Sequence, residues 1–132
     1  MNQATRRRSM LELPSQPLTS ERFAPYGQVI WPQSDEADWQ PGDAELELNQ
    51  GKPRLYLMRL QAPGLRFRVL AAHRRVSQCL GVVDGHLWHI AVAAAQHPSD
   101  QPLDARTQLQ VFTVPPGCIV KLHRCTWRRA PV

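Results

Sequence analysis

Proline and glycine interrupt this 132-residue chain so often that long helices are excluded. It contains twelve prolines and seven glycines, and both residue types favour turns over regular structure. Between these breaks, apolar and polar residues alternate with a period of two, which is the pattern of half-buried strands. The length is that of one domain. The sequence therefore predicts an all-β domain of short antiparallel strands, arranged as a sandwich or a barrel.

The positions of these elements follow from the same pattern. A short helix is expected to begin after a cap at Thr19 or Ser20. Asp84-Gly85 is the strongest hairpin signal, and it predicts that the strands on either side pair with each other. The predicted strands cover residues 28–31, 55–60, 65–70, 77–83, 87–92, 109–114 and 118–122.

The basic charge of the chain does not indicate a nucleic-acid partner. The net charge is +5 and the pI is about 9.7, but the basic residues are scattered and form neither a basic amphipathic helix nor an aromatic RNA-binding strand. A membrane partner is not expected either, because no segment approaches the roughly 20 apolar residues that span a bilayer. Residues 1–14, which include Arg6-Arg7-Arg8, are predicted to form a basic flexible tail before a single domain at 15–132.

The cysteines predict a reducing compartment. There are three of them, an odd number without metal-finger spacing, which favours reduced thiols in a cytoplasmic protein. Cys79 and Cys118 are expected in the core, where free cysteine packs as a small hydrophobe. For Cys125 a reactive thiol is the alternative.

One segment near the C terminus has the spacing of a cupin signature. The second cupin motif has the general form G-x5-P-x-G-x2-H. This chain has Gly117, five residues, His123, and then Arg128 at the position of the final histidine. The spacing of the motif is therefore retained, while its last side chain changes from imidazole to guanidinium.

Several further stretches resemble the ureidoglycolate lyase family of small cupins. The most specific is His123-Arg124-Cys125-Thr126-Trp127, and the others are Phe23 to Ile30, Asn49 to Gly51, Leu57 to Gln61, and His73 with Ser77-Gln78 and Asp84-Gly85. The resemblance implies a cupin-like antiparallel β-barrel, or jelly roll, in a homodimer. It also implies closing strands after the position of Val132, so that a barrel formed by this chain is truncated at its C terminus.

The resemblance also implies an activity, the cleavage of ureidoglycolate or a similar small ureido or hydroxy acid to glyoxylate and urea. Such a reaction needs a cation for the substrate carboxylate and a base with a pKa near neutrality. For the base, His123 is the first choice and His73 the second. For the cation, Arg59 precedes Arg75 and Arg124. Ser77 and Gln78 offer orienting hydrogen bonds, and Trp127 is either a substrate contact or a wall of the barrel.

The metal that the resemblance implies, a divalent ion such as nickel, is not expected to bind tightly. The two cupin signatures place His73, Arg75, Gln78 and Arg128 at the ligand positions, and two cations there would repel a divalent ion. His86 and His89 are three residues apart, which in a strand puts them on opposite faces. A noncatalytic alternative therefore remains open, namely a cupin that binds a small anion as a sensor or partner because Arg128 has replaced the motif histidine.

Overall fold

A computed structural model describes residues 10–61, 64–95 and 102–129. Most of the predicted tail (1–9) lies outside the described residues. In chain order the elements are β1 (Ser15–Pro17), α1 (Ser20–Phe23), β2 (Gly27–Ile30), β3 (Gln78–Leu80), β4 (Trp88–Ala93), α2 (Ala105–Gln108), β5 (Gln110–Val114), β6 (Ile119–Leu122) and β7 (Trp127–Arg129). Neither helix in the described ranges is long and apolar enough to cross a membrane.

The strands form two sheets. Sheet A has the order β1-β5-β4-β7, and sheet B has the order β2-β6-β3. All pairs are antiparallel except β1 with β5. The prediction of an all-β cupin-like fold is confirmed, with two short helices. The described strands do not close into a barrel, because no strand pairing joins an edge of sheet A to an edge of sheet B.

The core lies between the two sheets. Strand residues alternate between faces, and the register places Ile90 beside Phe112 on the inner face of sheet A and Val29 beside Val120 on the inner face of sheet B. These side chains belong to one buried cluster, to which Phe23 of α1 contributes a fully buried ring. The short helix is capped by Thr19, whose hydroxyl accepts a hydrogen bond from the Arg22 amide at 3.1 Å.

The outer face of sheet A is also covered. Ala91 and Ala93 are fully buried there, and Leu109 packs with them. Trp127 of β7 and Val111 of β5 lie against this second cluster, as do residues from outside the strands of the sheet: Leu13, Phe67, Leu70, Leu103 and Ala105. One end of the outer face of sheet A is therefore buried as well, and Leu103 before α2 and Ala105 within it are among the residues that cover it.

Two predicted strands are wrong. Residues 55–60 and 65–70 form no strand. Most of their large apolar side chains are exposed, with Leu55 fully so and Leu57 80% exposed, whereas Phe67 and Leu70 are partly buried. The alternating pattern is present, but neither sheet has a described strand that pairs with it. A period of two predicts which side chains of a strand would share a face. It does not show that a neighbouring strand is present to form the backbone hydrogen bonds that a sheet requires.

The hairpin predicted at Asp84-Gly85 is also wrong. The turn itself forms, with Gly85 at a φ of +79° and the His86 amide donating to the Asp84 carboxylate. However, β3 before the turn pairs with β6, whereas β4 after it pairs with β5 and β7. The turn therefore carries the chain from sheet B to sheet A.

One of the two core cysteines that the sequence predicts is confirmed, and the other is wrong. Cys118 is buried in the core, as expected, but Cys79 is exposed. Its neighbours on β3, Gln78 and Leu80, take the inward positions, so that Cys79 lies on the outer face of an edge strand. All three thiols are free.

Candidate functional site

Polar side chains gather at one end of the inner face of sheet A. Gln110 and Arg128 are the register partners of the fully buried Val92, on either side of it. The side-chain amide of Gln16 on β1 donates to Oε1 of Gln110 at 2.9 Å. The core is therefore apolar in the middle of the sandwich and polar at this end.

Arg128 links this end of sheet A to sheet B. Its Nε atom donates to Oε1 of Gln78 at 2.6 Å, and its Nη2 atom lies 3.4 Å from Nε2 of His73. Gln78 is the register partner of the buried Leu122 and so lies on the inner face of sheet B. His73, Gln78 and Arg128 are called the inner site below.

The backbone explains how His73 reaches Arg128. Ala71 and Arg128 form an isolated antiparallel bridge, with hydrogen bonds of 3.0 and 2.8 Å between their amides and carbonyls. His73 is two residues further on, and its carbonyl accepts from the Cys125 amide at 2.7 Å. Because side chains two residues apart share a face of an extended chain, this pairing places His73 on the same side as Arg128.

The turn between β6 and β7 directs Arg128 into the site. It takes the chain from sheet B to sheet A, and Cys125 adopts a φ of +69° within it, a conformation that costs a residue other than glycine about 1–2 kcal/mol. The turn is held to the carbonyl of Tyr26 by the His123 amide at 2.9 Å and the Thr126 hydroxyl at 3.0 Å. Thr126 is buried, so the turn is firmly anchored to the start of β2.

The charge of Arg128 has no acidic partner among the described residues. The ion pair that the described residues contain joins Arg124 to Glu47 and does not involve Arg128. Burial lowers the pKa of Arg128 from its usual range; Arg129 lowers this pKa further, and Tyr56 opposes both. An unneutralised, half-buried guanidinium is therefore the main electrostatic feature of the inner site.

The contact with Arg128 gives the His73 imidazole an accepting role. A guanidinium has only donors, so Nε2 of His73 is the acceptor and a neutral ring carries its proton on Nδ1. The Nε2 lone pair points at Arg128 rather than at open solvent. His73 is otherwise exposed, so the inner site opens to solvent on this side.

His123, the first choice for the base, lies elsewhere. It is exposed at the end of β6, and its Nε2 atom is 3.1 Å from the carbonyl oxygen of Ala24. A carbonyl is an acceptor, so Nε2 carries the proton. No hydrogen bond within the described residues joins His123 to the inner site.

Two other predicted site residues hold a loop in place. Ser77 is buried, and its hydroxyl accepts from the Glu47 amide at 2.8 Å while its own amide donates to the Glu47 carbonyl at 3.0 Å. Arg124 pairs with the carboxylate of Glu47 at 2.7 Å. Both side chains therefore bind the segment around Glu47.

The remaining predicted residues are not brought to the inner site. Arg59 lies in the exposed segment 55–60, and Arg75 lies in an exposed bend. Neither has an ion pair with another described residue. Trp127 precedes Arg128 on β7 and so faces the opposite side of sheet A, where it packs in the second cluster.

The inner site does not fit a divalent cation. The two atoms that could ligate a metal are both engaged by Arg128: Oε1 of Gln78 accepts a hydrogen bond from it, and Nε2 of His73 faces the same guanidinium. The positive charge of Arg128 therefore lies beside both atoms. In the part of the chain that the structure describes, no three side chains among His, Cys, Asp and Glu are placed to hold a metal ion. His97, one of the histidines of the sequence, lies outside that part.

Sequence reasoning missed two members of this polar end and undervalued a third. The sequence analysis does not name Gln16 or Gln110. Alternation along β5 puts Gln110 on the same face as the buried Phe112 and Val114. Arg128 was predicted only as the replacement of a histidine. Its place in the cupin signature was the signal that it faces the interior.

The two facing sheets and the inner site define a protein of the cupin-like β class. The family model described as ureidoglycolate lyase matches residues 10–132. The chain belongs to the ureidoglycolate lyase family. A comparison with curated proteins found no significant match.

Proposed function

We propose that this chain cleaves ureidoglycolate, or a similar small ureido or hydroxy acid, to glyoxylate and urea at the inner site. The observation that carries the proposal is the convergence of His73, Gln78 and Arg128, from three separate segments, in a chain of the ureidoglycolate lyase family. These residues supply an imidazole and an amide that each lie within hydrogen-bond distance of one guanidinium. A small polar acid needs these three kinds of group.

The reaction is a β-elimination of urea from a carbinolamide. The base removes the proton of the substrate hydroxyl, the oxygen electrons form the carbonyl of glyoxylate, and the carbon–nitrogen bond breaks as the departing urea nitrogen gains a proton. General acid–base catalysis of this kind contributes about 10²–10⁴-fold. In this proposal Arg128 holds the substrate carboxylate, and the side-chain amide of Gln78 binds a polar group of the ureido end.

His73 is the proposed base in preference to His123. Its Nε2 lone pair is directed into the site, whereas the Nε2 atom of His123 is engaged by the Ala24 carbonyl. When an anion draws the guanidinium toward itself, Nε2 of His73 is released to accept a proton. The role of His123 is then to position the turn that carries Arg128 into the site.

The experiment is the rate of glyoxylate release from ureidoglycolate by the full chain. His73→Gln is expected to lower kcat at least about 100-fold, while the matched control His86→Gln, in the exposed turn after Gly85, leaves it unchanged. His123→Gln is expected to act through the turn and to lower the unfolding midpoint together with the rate. If His73→Gln keeps the parent rate while His123→Gln abolishes it without loss of stability, His123 is the base instead.

A second candidate function is favoured by one contact. The guanidinium of Arg128 lies against the lone pair that a base would use, which suits a protein that binds a small anion without transforming it. Anion binding by the parent chain with no glyoxylate release would select this reading.

The setting of the protein is part of the proposal. Leu55, Leu57 and Met58 are exposed in one continuous segment, and a homodimer in which a second copy covers this segment would remove that apolar surface from water. The three free thiols support a cytoplasmic location.

A further inference from the structure

We infer that the guanidinium of Arg128 takes the place of a metal ion in the inner site and makes it a receptor for small carboxylates that needs no divalent cation. The inference deepens the proposed function and rests on it only for the choice of site. In this inference Arg128 binds small 2-hydroxy carboxylates, and this binding can be measured separately from catalysis.

The donor count of Arg128 leaves room for a ligand. A guanidinium has five N–H donors in a fixed planar fork. One, on Nε, is used by Gln78, and one on Nη2 faces His73. Within the described part of the chain, three donors on Nη1 and Nη2 have no partner, and the edge formed by these two nitrogens matches a carboxylate in a bidentate arrangement.

The charge of the site also favours an anion. Arg128 is half-buried, sits beside the fully buried Val92, and has no carboxylate partner among the described residues. A charge withdrawn from water without a partner is costly. Burial lowers the pKa of this guanidinium, as expected for such a group. A bound carboxylate would neutralise it and relieve this cost.

Besides their proposed contacts with the substrate, Gln78 and His73 orient the guanidinium. The hydrogen bond from Nε to Gln78 orients the plane of the fork, and Nη2 has a second contact with His73. Because less side-chain freedom is lost when a prepared group binds its ligand, this arrangement favours affinity. The same two contacts occupy the atoms that a divalent ion would need.

Sodium glycolate is the probe that tests the inference. The full-length protein is treated with EDTA and titrated with glycolate by calorimetry. The parent chain is expected to bind it, and Arg128→Gln is expected to weaken binding at least about tenfold through loss of a charge-assisted bidentate contact. The control is Arg106→Gln, because Arg106 is an exposed arginine on α2 and belongs to none of the candidate sites, and this variant is expected to bind as the parent does.

A parallel titration uses nickel chloride alone. The parent chain is expected to show no saturable nickel binding, whereas Arg128→His, which pairs a new imidazole with His73, is expected to gain it. If Arg128→Gln does not fold by circular dichroism, Arg128→Lys keeps the charge and removes the fork, and glycolate binding should still weaken.

Two results would overturn the inference: glycolate binding by both Arg128 variants at parent affinity, or glycolate binding by the parent only when nickel is present. Glycolate binding without glyoxylate release would leave the inference standing and remove the proposed function, so the two fail separately.

Discussion

Nε of Arg128 on β7 donates a hydrogen bond of 2.6 Å to Oε1 of Gln78 on β3, and this contact joins the inner faces of the two sheets. Its acceptor is neutral, so the positive charge of Arg128 remains available. An ionic acceptor at the same position would strengthen the contact and remove that charge.

Gln78→Glu is therefore expected to affect stability and binding in opposite directions. Hydrogen bonds to charged partners contribute roughly 1 kcal/mol more than neutral ones, so the free energy of unfolding in urea should rise by about that amount. Glycolate affinity should fall at least about tenfold, because the carboxylate of the variant competes for the guanidinium. The matched variant Gln78→Leu should lose both stability and affinity. A Gln78→Glu protein that binds glycolate more tightly than the parent would count against this description of the site.

Gly27 permits the close approach of β2 and β6. A Cβ atom on Gly27 would lie 1.9 Å from the carbonyl oxygen of Lys121, which is backbone and cannot move aside. Gly27→Ala is expected to lower the free energy of unfolding by about 3 kcal/mol or more, at the upper end of overpacking effects.

Gly51→Ala is the control for this substitution, since its Cβ would meet only a methyl of Val76, at 3.4 Å. We expect a change within about 0.5 kcal/mol. Urea unfolding monitored by tryptophan fluorescence gives both values. Equal stability of the two variants would mean that β2 and β6 are further apart than described.

The exposed apolar segment predicts self-association. Leu57 is 80% exposed beside the fully exposed Leu55, so a charge at position 57 should disrupt a homodimer that covers this surface. Sedimentation equilibrium is expected to give a dimer for the parent and a monomer for Leu57→Lys. Val83→Lys, at a residue 82% exposed in a different segment, should remain dimeric. A monomeric parent at high micromolar concentration would refute the proposed dimer.

The buried thiol of Cys118 predicts a loss of stability at alkaline pH. Burial raises the pKa of this thiol above its ordinary value of 9.0, so the folded state favours the protonated form. Its contribution to stability is complete below pH 9 and is lost as the pH rises through 9 toward the raised folded value. In Cys118→Ala the fall in the free energy of unfolding above pH 9 should be shallower.

Thiol labelling gives an independent check on the same residue. Burial raises the pKa of both Cys79 and Cys118, but Cys79 is exposed. In the native protein Cys79 should therefore react with a disulfide reagent, while Cys118 should react only after unfolding. Rapid labelling of Cys118 in the native state would show that the core is open there.

Much of the fold could be predicted from local pattern. The helix cap at Thr19 and the strands at 27–30, 88–93, 110–114 and 119–122 follow from capping chemistry and period-two alternation. Strand pairing could not be predicted in the same way. The Asp84-Gly85 turn specifies a reversal of the chain, but the partners of β3 and β4 are chosen by the buried faces that meet across the sandwich.

The site was predicted in part for a similar reason. Three of the four positions named by the cupin signatures, His73, Gln78 and Arg128, come together because motif spacing encodes their place on the two sheets. Arg59 is the first choice for the cation in the sequence analysis, and it lies in the stretch Leu57 to Gln61 that resembles the family and alternates like a strand. That segment proved to be exposed, and periodicity alone cannot distinguish a strand in a sheet from an unpaired segment.

The most direct test of the account is the rate of glyoxylate release from ureidoglycolate by EDTA-treated protein, compared between the parent chain and Arg128→His. The account predicts that the parent releases glyoxylate without added metal and that Arg128→His lowers kcat/KM at least about tenfold, in line with loss of a bidentate charged contact. Glyoxylate release by Arg128→His with nickel, and none by the parent under any condition, would contradict it.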